Sequence, residues 1–320
     1  MLCLWLVMLI VTSCREKDNG CDDCGQLTPP YGVIASATEG QLTFFDLVDL
    51  HVIRHAVMPG WATACELLPS GVTLVATDND VGALSLFYLP EVNRFEQVDI
   101  AGTPVDLRVA RSSLTAHLLT HNSRYYRISF ANIQVDTVET GIEPRRLKMR
   151  PGDQWTWIAC PGDSTVRIVK EQGFFEESRV RFNGPCTDIE FSPDGALVYC
   201  ALPSSDQLMI LDAADGEVLD SLGMFGSVVD LGISTDGQYL MAVDSTRGDA
   251  RIYDLFNGSS SDLRCGTSAV RVRYSQASGA FFVVCPRQSM VVRVSPETSP
   301  PEVQDTLFVQ PIPQCMSFLE

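Results

Sequence analysis

The residues best placed for chemistry come in alternating pairs. Asp106 and Arg108, Arg146 and Lys148, Asp188 and Glu190, and Arg271 and Arg273 each stand two apart, with Asp230 in an equivalent place. They sit in runs such as "TDIEFS" whose other positions are apolar. In a strand, a spacing of two puts both side chains on one face. If such faces line a channel, their mixed charges can hold a charged small ligand. They can also neutralise one another between neighbouring strands, because unpaired charge beside a low-dielectric wall is costly. Neighbour pairing is the expectation.

Other chemistries find less support. The four histidines are His51, His55, His117 and His121. His117 and His121 share a strand face but lie about 13 Å apart by the strand rise, too far to bind one metal. "TDNDVG", from Thr77, lacks the length and the later glutamate of a calcium loop. No G-x-S-x-G elbow and no phosphate-binding glycine loop occur. "CDDCG", from Cys21, has C-x-x-C spacing but no following histidine for haem attachment, and no βαβ setting for thiol redox work. No catalytic set, metal or cofactor is expected.

The elements that must position these residues repeat along the chain. "TDIEFSPDGALVYCAL", from Thr187, is matched by "VDLGISTDGQYLMAVD", from Val229, and by "TACELLPSGVTLVATD", from Thr63. Each is an alternating run, a glycine-ended turn and a second apolar run, the signal of a strand hairpin. Leading glycines at Gly60, Gly102, Gly141, Gly184, Gly226 and Gly266 recur at intervals of 42, 39, 43, 42 and 40. No amphipathic helix interrupts them. In the copy around Asp188, strands are expected at about 186–191, 196–201, 206–212 and 217–222.

Four strands per repeat of this length indicate an all-β propeller rather than an open sandwich. Six full blades begin near Thr63, Pro104, Pro144, Cys186, Val228 and Ala269. The segment from Tyr31 supplies three strands, and "PQCMSFLE" at the C-terminus reads as a lone first strand. Together they make a seventh blade and close the ring, which hides edges an open array would expose. The channel-lining set is then Asp106, Arg108, Arg146, Lys148, Asp188, Glu190, Asp230, Arg271 and Arg273. Ala64, Glu66, Cys315 and Ser317 occupy the same slots in the remaining blades.

"FSPDGALVY" with "MILDAADG", and "STDGQYLMAV" with "RIYDLFNG", resemble the YVTN-type seven-bladed propellers. The resemblance covers about residues 31 to 319 and is looser at "PSGVTLVAT" and "ASGAFFVV". Some propellers of this general type are lactonases, so the resemblance permits hydrolysis, although no catalytic set matches residue by residue. WD and kelch signatures are absent.

The chain has 23 basic and 40 acidic residues in 320, for a net charge of −17, which disfavours nucleic-acid binding. Its first residues, Met1 to Val11, are nearly all apolar and too few to span a bilayer. "VTSC" then resembles the lipobox of bacterial lipoproteins, without a basic residue before the apolar run. The resemblance implies a signal at 1–13 and lipidation of Cys14. It also implies outer-membrane sorting, since Arg15 follows in place of aspartate, with the domain facing the periplasm or the cell surface. Residues 14–30 read as a polar tether and 31–320 as the propeller domain.

Outside the signal and Cys14, nine cysteines remain in what would be an oxidising envelope. Cys21 and Cys24 can close a small loop. Cys186 and Cys200 fall on adjacent strands across the "SPDG" turn and are the candidate disulfide, provided the register opposes them directly. The function expected is a non-catalytic, lipid-anchored recognition scaffold for an envelope protein or a small ligand. The alternatives are a lactonase-like hydrolase at the channel mouth and a subunit of an envelope assembly.

Overall fold

A computed structural model describes residues 27–320 except 39, 90, 111–113, 153 and 299. The expected signal, Cys14, Cys21 and Cys24 lie outside the described residues. Twenty-eight strands form seven four-stranded antiparallel sheets, with no α-helix among the described residues. Blade 5 illustrates the unit, with strands at Asp188–Phe191, Leu197–Leu202, Gln207–Asp212 and Val218–Gly223. The innermost strands of blades 2 to 7 are Cys65–Leu67, Pro104–Ala110, Arg146–Met149, Asp188–Phe191, Val228–Ile233 and Arg271–Ser275.

Blade 1 is assembled from both chain ends. Its inner strand, Pro313–Leu319, pairs antiparallel with Tyr31–Ser36, setting Leu319 opposite Tyr31 and Cys315 opposite Ala35. The chain thereby closes the ring with its own last strand. Leu27, at the end of the expected tether, packs against the apolar cluster shared by blades 1 and 2.

Local chemistry explains why the repeat carries its glycines. Gly60 and Gly226 have φ of +80° and +56°, where a side chain is strained, and a Cβ would collide with the carboxylates of Asp78 and Asp244. Asp244 needs that space: its Oδ2 accepts the Ser227 N–H at 2.9 Å and its Oδ1 the Thr246 N–H at 2.6 Å. In the "SPDG" turn, Ser192 Oγ donates to Asp194 Oδ1 at 2.5 Å and accepts the Leu197 N–H at 2.9 Å. Ser234, Asp236 and Tyr239 repeat the same bonds in blade 6.

The core lies between blades. One apolar cluster joins Tyr199 and Leu208 of blade 5 to Leu231 and Leu240 of blade 6, and another joins Phe45 of blade 1 to Phe282 of blade 7. Outer strands such as Ser259–Arg264 alternate exposed and half-buried residues. Burial therefore holds each blade to its neighbours, and the inner strands are fixed around one axis.

The register corrects one expectation. The Ser192 N–H bonds to the Leu197 carbonyl, so the ladder sets Cys200 opposite Ile189, and Cys186 precedes the strand. The two cysteines are not cross-strand partners. They are separate, buried thiols, and the Cys186 thiol donates to the Asp188 carbonyl at 3.4 Å.

Candidate functional site: a closed layer and two cups

The side chains around the axis form two layers. The upper layer, near the start of the inner strands, holds Asp106, Arg146, Asp188, Asp230 and Arg271, all buried. Arg146 Nε lies 3.2 Å from Asp230 Oδ1 and 3.8 Å from Asp188 Oδ1. Arg271 lies 3.3 Å from Asp230 and 3.4 Å from Asp106. The expected neighbour pairing is thus only part of the pattern. Arg146 of blade 4 passes blade 5 to reach blade 6, and Arg271 of blade 7 reaches blade 3. The guanidiniums span the axis because the ring is narrow at this level, so the layer closes the channel between the inner strands.

The carboxylates of this layer also stitch the ring together. Asp106 Oδ2 accepts the Leu147 N–H at 3.0 Å, Asp188 Oδ2 the Leu231 N–H at 2.5 Å, and Asp230 Oδ2 the Val272 N–H at 2.8 Å. Each bond runs from one inner strand to the next, and Ser317 does the same for the Leu67 N–H at 2.9 Å. Burial opposes ionisation of Asp230, but Arg271 and Arg146 hold its carboxyl well below the usual range. Asp106 behaves alike: burial resists its charge, and Arg108, Arg271 and Arg146 outweigh that resistance. Asp188 goes the other way, pushed up to about 7 by burial and by the adjacent Asp230. Burial and Arg271 together bring the Arg146 guanidinium down to about 10.

One step down each strand stands the lower layer: Glu66, Arg108, Lys148, Glu190 and Arg273. Arg108 pairs with Glu66 at 3.0 Å, and Lys148 pairs with Glu190. These are neighbour pairs, as expected. Arg273 has no ion pair among the described residues, and its Nη1 reaches the Val272 carbonyl at 3.4 Å.

The closed layer separates two cups. The upper one, about 580 Å³, is lined by Glu143, Arg145, His121 and Val229 above Arg146 and Arg271. The lower one, about 420 Å³, is lined by the lower-layer charges together with Val109, Met149, Ile233 and Tyr274.

Two further clusters were not read from the sequence as units. His117, in blade 3, lies 2.5 Å by Nδ1 from the Tyr125 hydroxyl, and that hydroxyl donates to Glu171 Oε1 at 2.7 Å. Thr156 donates to the same Glu171 oxygen at 2.6 Å. Tyrosine has one hydrogen, so with it on Glu171 the His117 Nδ1–H must be the donor. Burial and Arg127 take the His117 imidazole down to about 3, so it is neutral there. The group is a polar staple between blades 3 and 4, while His121 faces the upper cup.

Asp46, Asp49 and His51 place ligand atoms within 4.8 Å of one another. Asp46 Oδ1 already accepts the Val48 and Asp49 N–H groups, both at 2.7 Å, which identifies the group as a turn.

No protein-family model matches the chain, and no curated protein matches it. Solved structures do. One from Lactobacillus plantarum superposes with TM-score 0.76 at 13% identity, over 91% of this chain and 99% of that one. A functionally unknown protein from Desulfotomaculum acetoxidans gives 0.74 at 14%, over 91% and 99%. A Bacteroides fragilis protein carrying a provisional 6-phosphogluconolactonase name gives 0.75 at 12%, over 91% and 98%. At these identities the similarity establishes the propeller fold and nothing finer.

Proposed function

We propose that this chain is a lipid-anchored propeller of the bacterial envelope, of YVTN type, that acts as a non-catalytic recognition scaffold. The observation that carries the reading is the closed upper layer. Its carboxylates face guanidiniums and accept backbone N–H groups of the next blade, which suits a scaffold. Recognition then falls to the cups and loops that this rigid ring presents. The alternative, lactonase-like hydrolysis, is favoured by the name of the Bacteroides fragilis neighbour alone. Incubating the full chain with γ- and δ-lactones should give no turnover above the uncatalysed rate. Turnover that disappears on replacing a cup residue overturns the scaffold reading.

The anchoring half of the proposal rests on "VTSC" and Cys14. Cys14→Ser should abolish labelling by a radioactive fatty acid and release the protein from the membrane fraction, because the diacyl group supplies most of the affinity. A protein that stays membrane-bound after this change is held by something else.

A further inference from the structure

The two layers differ in net charge, and the difference singles out one end of the channel. The upper layer sets three carboxylates (Asp106, Asp188, Asp230) against two guanidiniums (Arg146, Arg271). The lower sets two carboxylates (Glu66, Glu190) against three cations (Arg108, Lys148, Arg273). The upper layer therefore carries no surplus cation, and the positive end of the channel is the lower cup. Two groups there have donors to offer. Arg273 has no carboxylate partner among the described residues, and Arg108 Nη2 is buried with no hydrogen-bond partner. Gly232 occupies the slot that bears a long side chain in blades 2, 3, 4, 5 and 7, so blade 6 adds no charge to the cup. Below the charges the wall turns apolar, at Met149, Ile233 and Tyr274.

We propose that the lower cup binds a small organic carboxylate, its charged head between Arg108 and Arg273 and its apolar body along Met149, Ile233 and Tyr274. Guanidinium forks match carboxylates in a bidentate way. The volume, about 420 Å³, suits a small molecule. A single surplus cation in a chain of net charge −17 favours a monoanion over a phosphate dianion. The upper cup does not share this property, since Glu143 offsets Arg145 and the layer beneath carries no surplus cation. This proposal rests on the recognition-scaffold reading and supplies its ligand class.

The test is calorimetric titration of the full chain with acetate, hexanoate, benzoate and inorganic phosphate. Hexanoate and benzoate should bind more tightly than acetate, and phosphate most weakly. Arg273→Gln should weaken hexanoate by at least about tenfold, the loss of one charge-assisted bond. Arg273→Lys, which keeps charge without the fork, should fall between, and Arg145→Gln in the other cup should bind like the parent. Melting curves establish that each variant is folded. The proposal is overturned if no carboxylate binds at millimolar concentration, if Arg273→Gln binds as the parent does, or if phosphate binds best. Absence of binding leaves the non-hydrolytic scaffold standing, whereas lactone turnover overturns the scaffold whether or not carboxylates bind.

An independent observation concerns the closing strand. Cys315 Sγ on that strand lies 2.7 Å from Cys65 Sγ on the inner strand of blade 2, both buried. We infer that these two cysteines form a disulfide that fastens the last strand to the ring. Two thiols give up two protons and two electrons, and a disulfide oxidant takes them, as oxidised glutathione does in becoming two thiols. The partners are 250 residues apart, so the bond would constrain nearly the whole unfolded chain. The full chain, unfolded with reductant and refolded with oxidised glutathione, should yield a Cys65–Cys315 cross-linked peptide on non-reducing mapping. It should also melt higher than the same chain refolded reduced, a difference that Cys315→Ser removes. Recovery of both cysteines as alkylated free thiols overturns the inference.

Discussion

Arg271 and Arg273 stand two residues apart on one strand, point toward one axis and carry the same group. Their surroundings differ completely. Arg271 is buried between Asp230 and Asp106, at 3.3 and 3.4 Å, and helps to close the ring. Arg273 meets a carbonyl at 3.4 Å and an open cup. The contrast shows that a propeller's inner strands can assign alternate positions to different tasks. One layer holds the blades in register, and the next is free to recognise.

The largest effect should come from breaking the closed layer. Arg271→Gln leaves Asp230 and Asp106 buried with one fewer cation between them. Losing one partner of a buried ion pair costs about 3 to 5 kcal/mol. Urea unfolding of the variant should show a loss of that order with an unchanged denaturant slope. A loss below about 1 kcal/mol would mean that the layer is not what holds the inner strands together.

An intermediate effect should appear as pH dependence, where two buried groups oppose each other. Asp188 is pushed up to about 7, so its carboxyl is protonated in the fold while ionised in the unfolded chain between about pH 4 and 7. Stability from this group is present at low pH and is lost as pH rises through that window, at up to about 1.4 kcal/mol per unit. His117, taken down to about 3, has the opposite sign: its contribution is present above about pH 6.5 and is lost as pH falls toward 3. The parent should therefore be nearly flat between pH 4 and 6.5. Asp188→Asn keeps an oxygen for the Leu231 N–H and removes one of the opposing slopes. Its stability should rise with pH across that range and exceed the parent's at pH 8. Parallel curves for the two proteins would place the Asp188 charge elsewhere.

Much of this contrast could be read from the sequence, and the missing part has a physical cause. The glycine interval, the alternating charged slots and the lone strand "PQCMSFLE" are local patterns, and they led to seven blades and to the closing pair of Tyr31–Ser36 with Pro313–Leu319. The partner of each charge was not local. Arg146 reaches Asp230 past Asp188 because the ring is narrow, and that width follows from how seven blades pack, not from any one strand. The same limit applied to the cysteines. Spacing suggested Cys186 and Cys200, but their relation depends on a turn register that the letters "SPDG" leave open by one residue. Cys65 and Cys315 are brought together only when the ring closes. The His117, Tyr125 and Glu171 staple joins two blades and has no sequence signal beyond its residue types.

The smallest effect sharpens the comparison most. Arg273→Gln removes the same charge and fork as Arg271→Gln, two residues further along the strand. No carboxylate is orphaned by it among the described residues, because Glu66 stays with Arg108 and Glu190 stays with Lys148. What it does remove is a distant contribution to holding down Asp230, which Arg271 and Arg146 largely supply on their own. Stability should therefore fall by less than about 1 kcal/mol, within the range of partly exposed charges that lack a tight partner. Measured under the same urea conditions, the two variants should differ several-fold in cost. If Arg273→Gln proves as damaging as Arg271→Gln, both layers are structural, and the lower cup is part of the ring's closure instead of a surface kept open for a ligand.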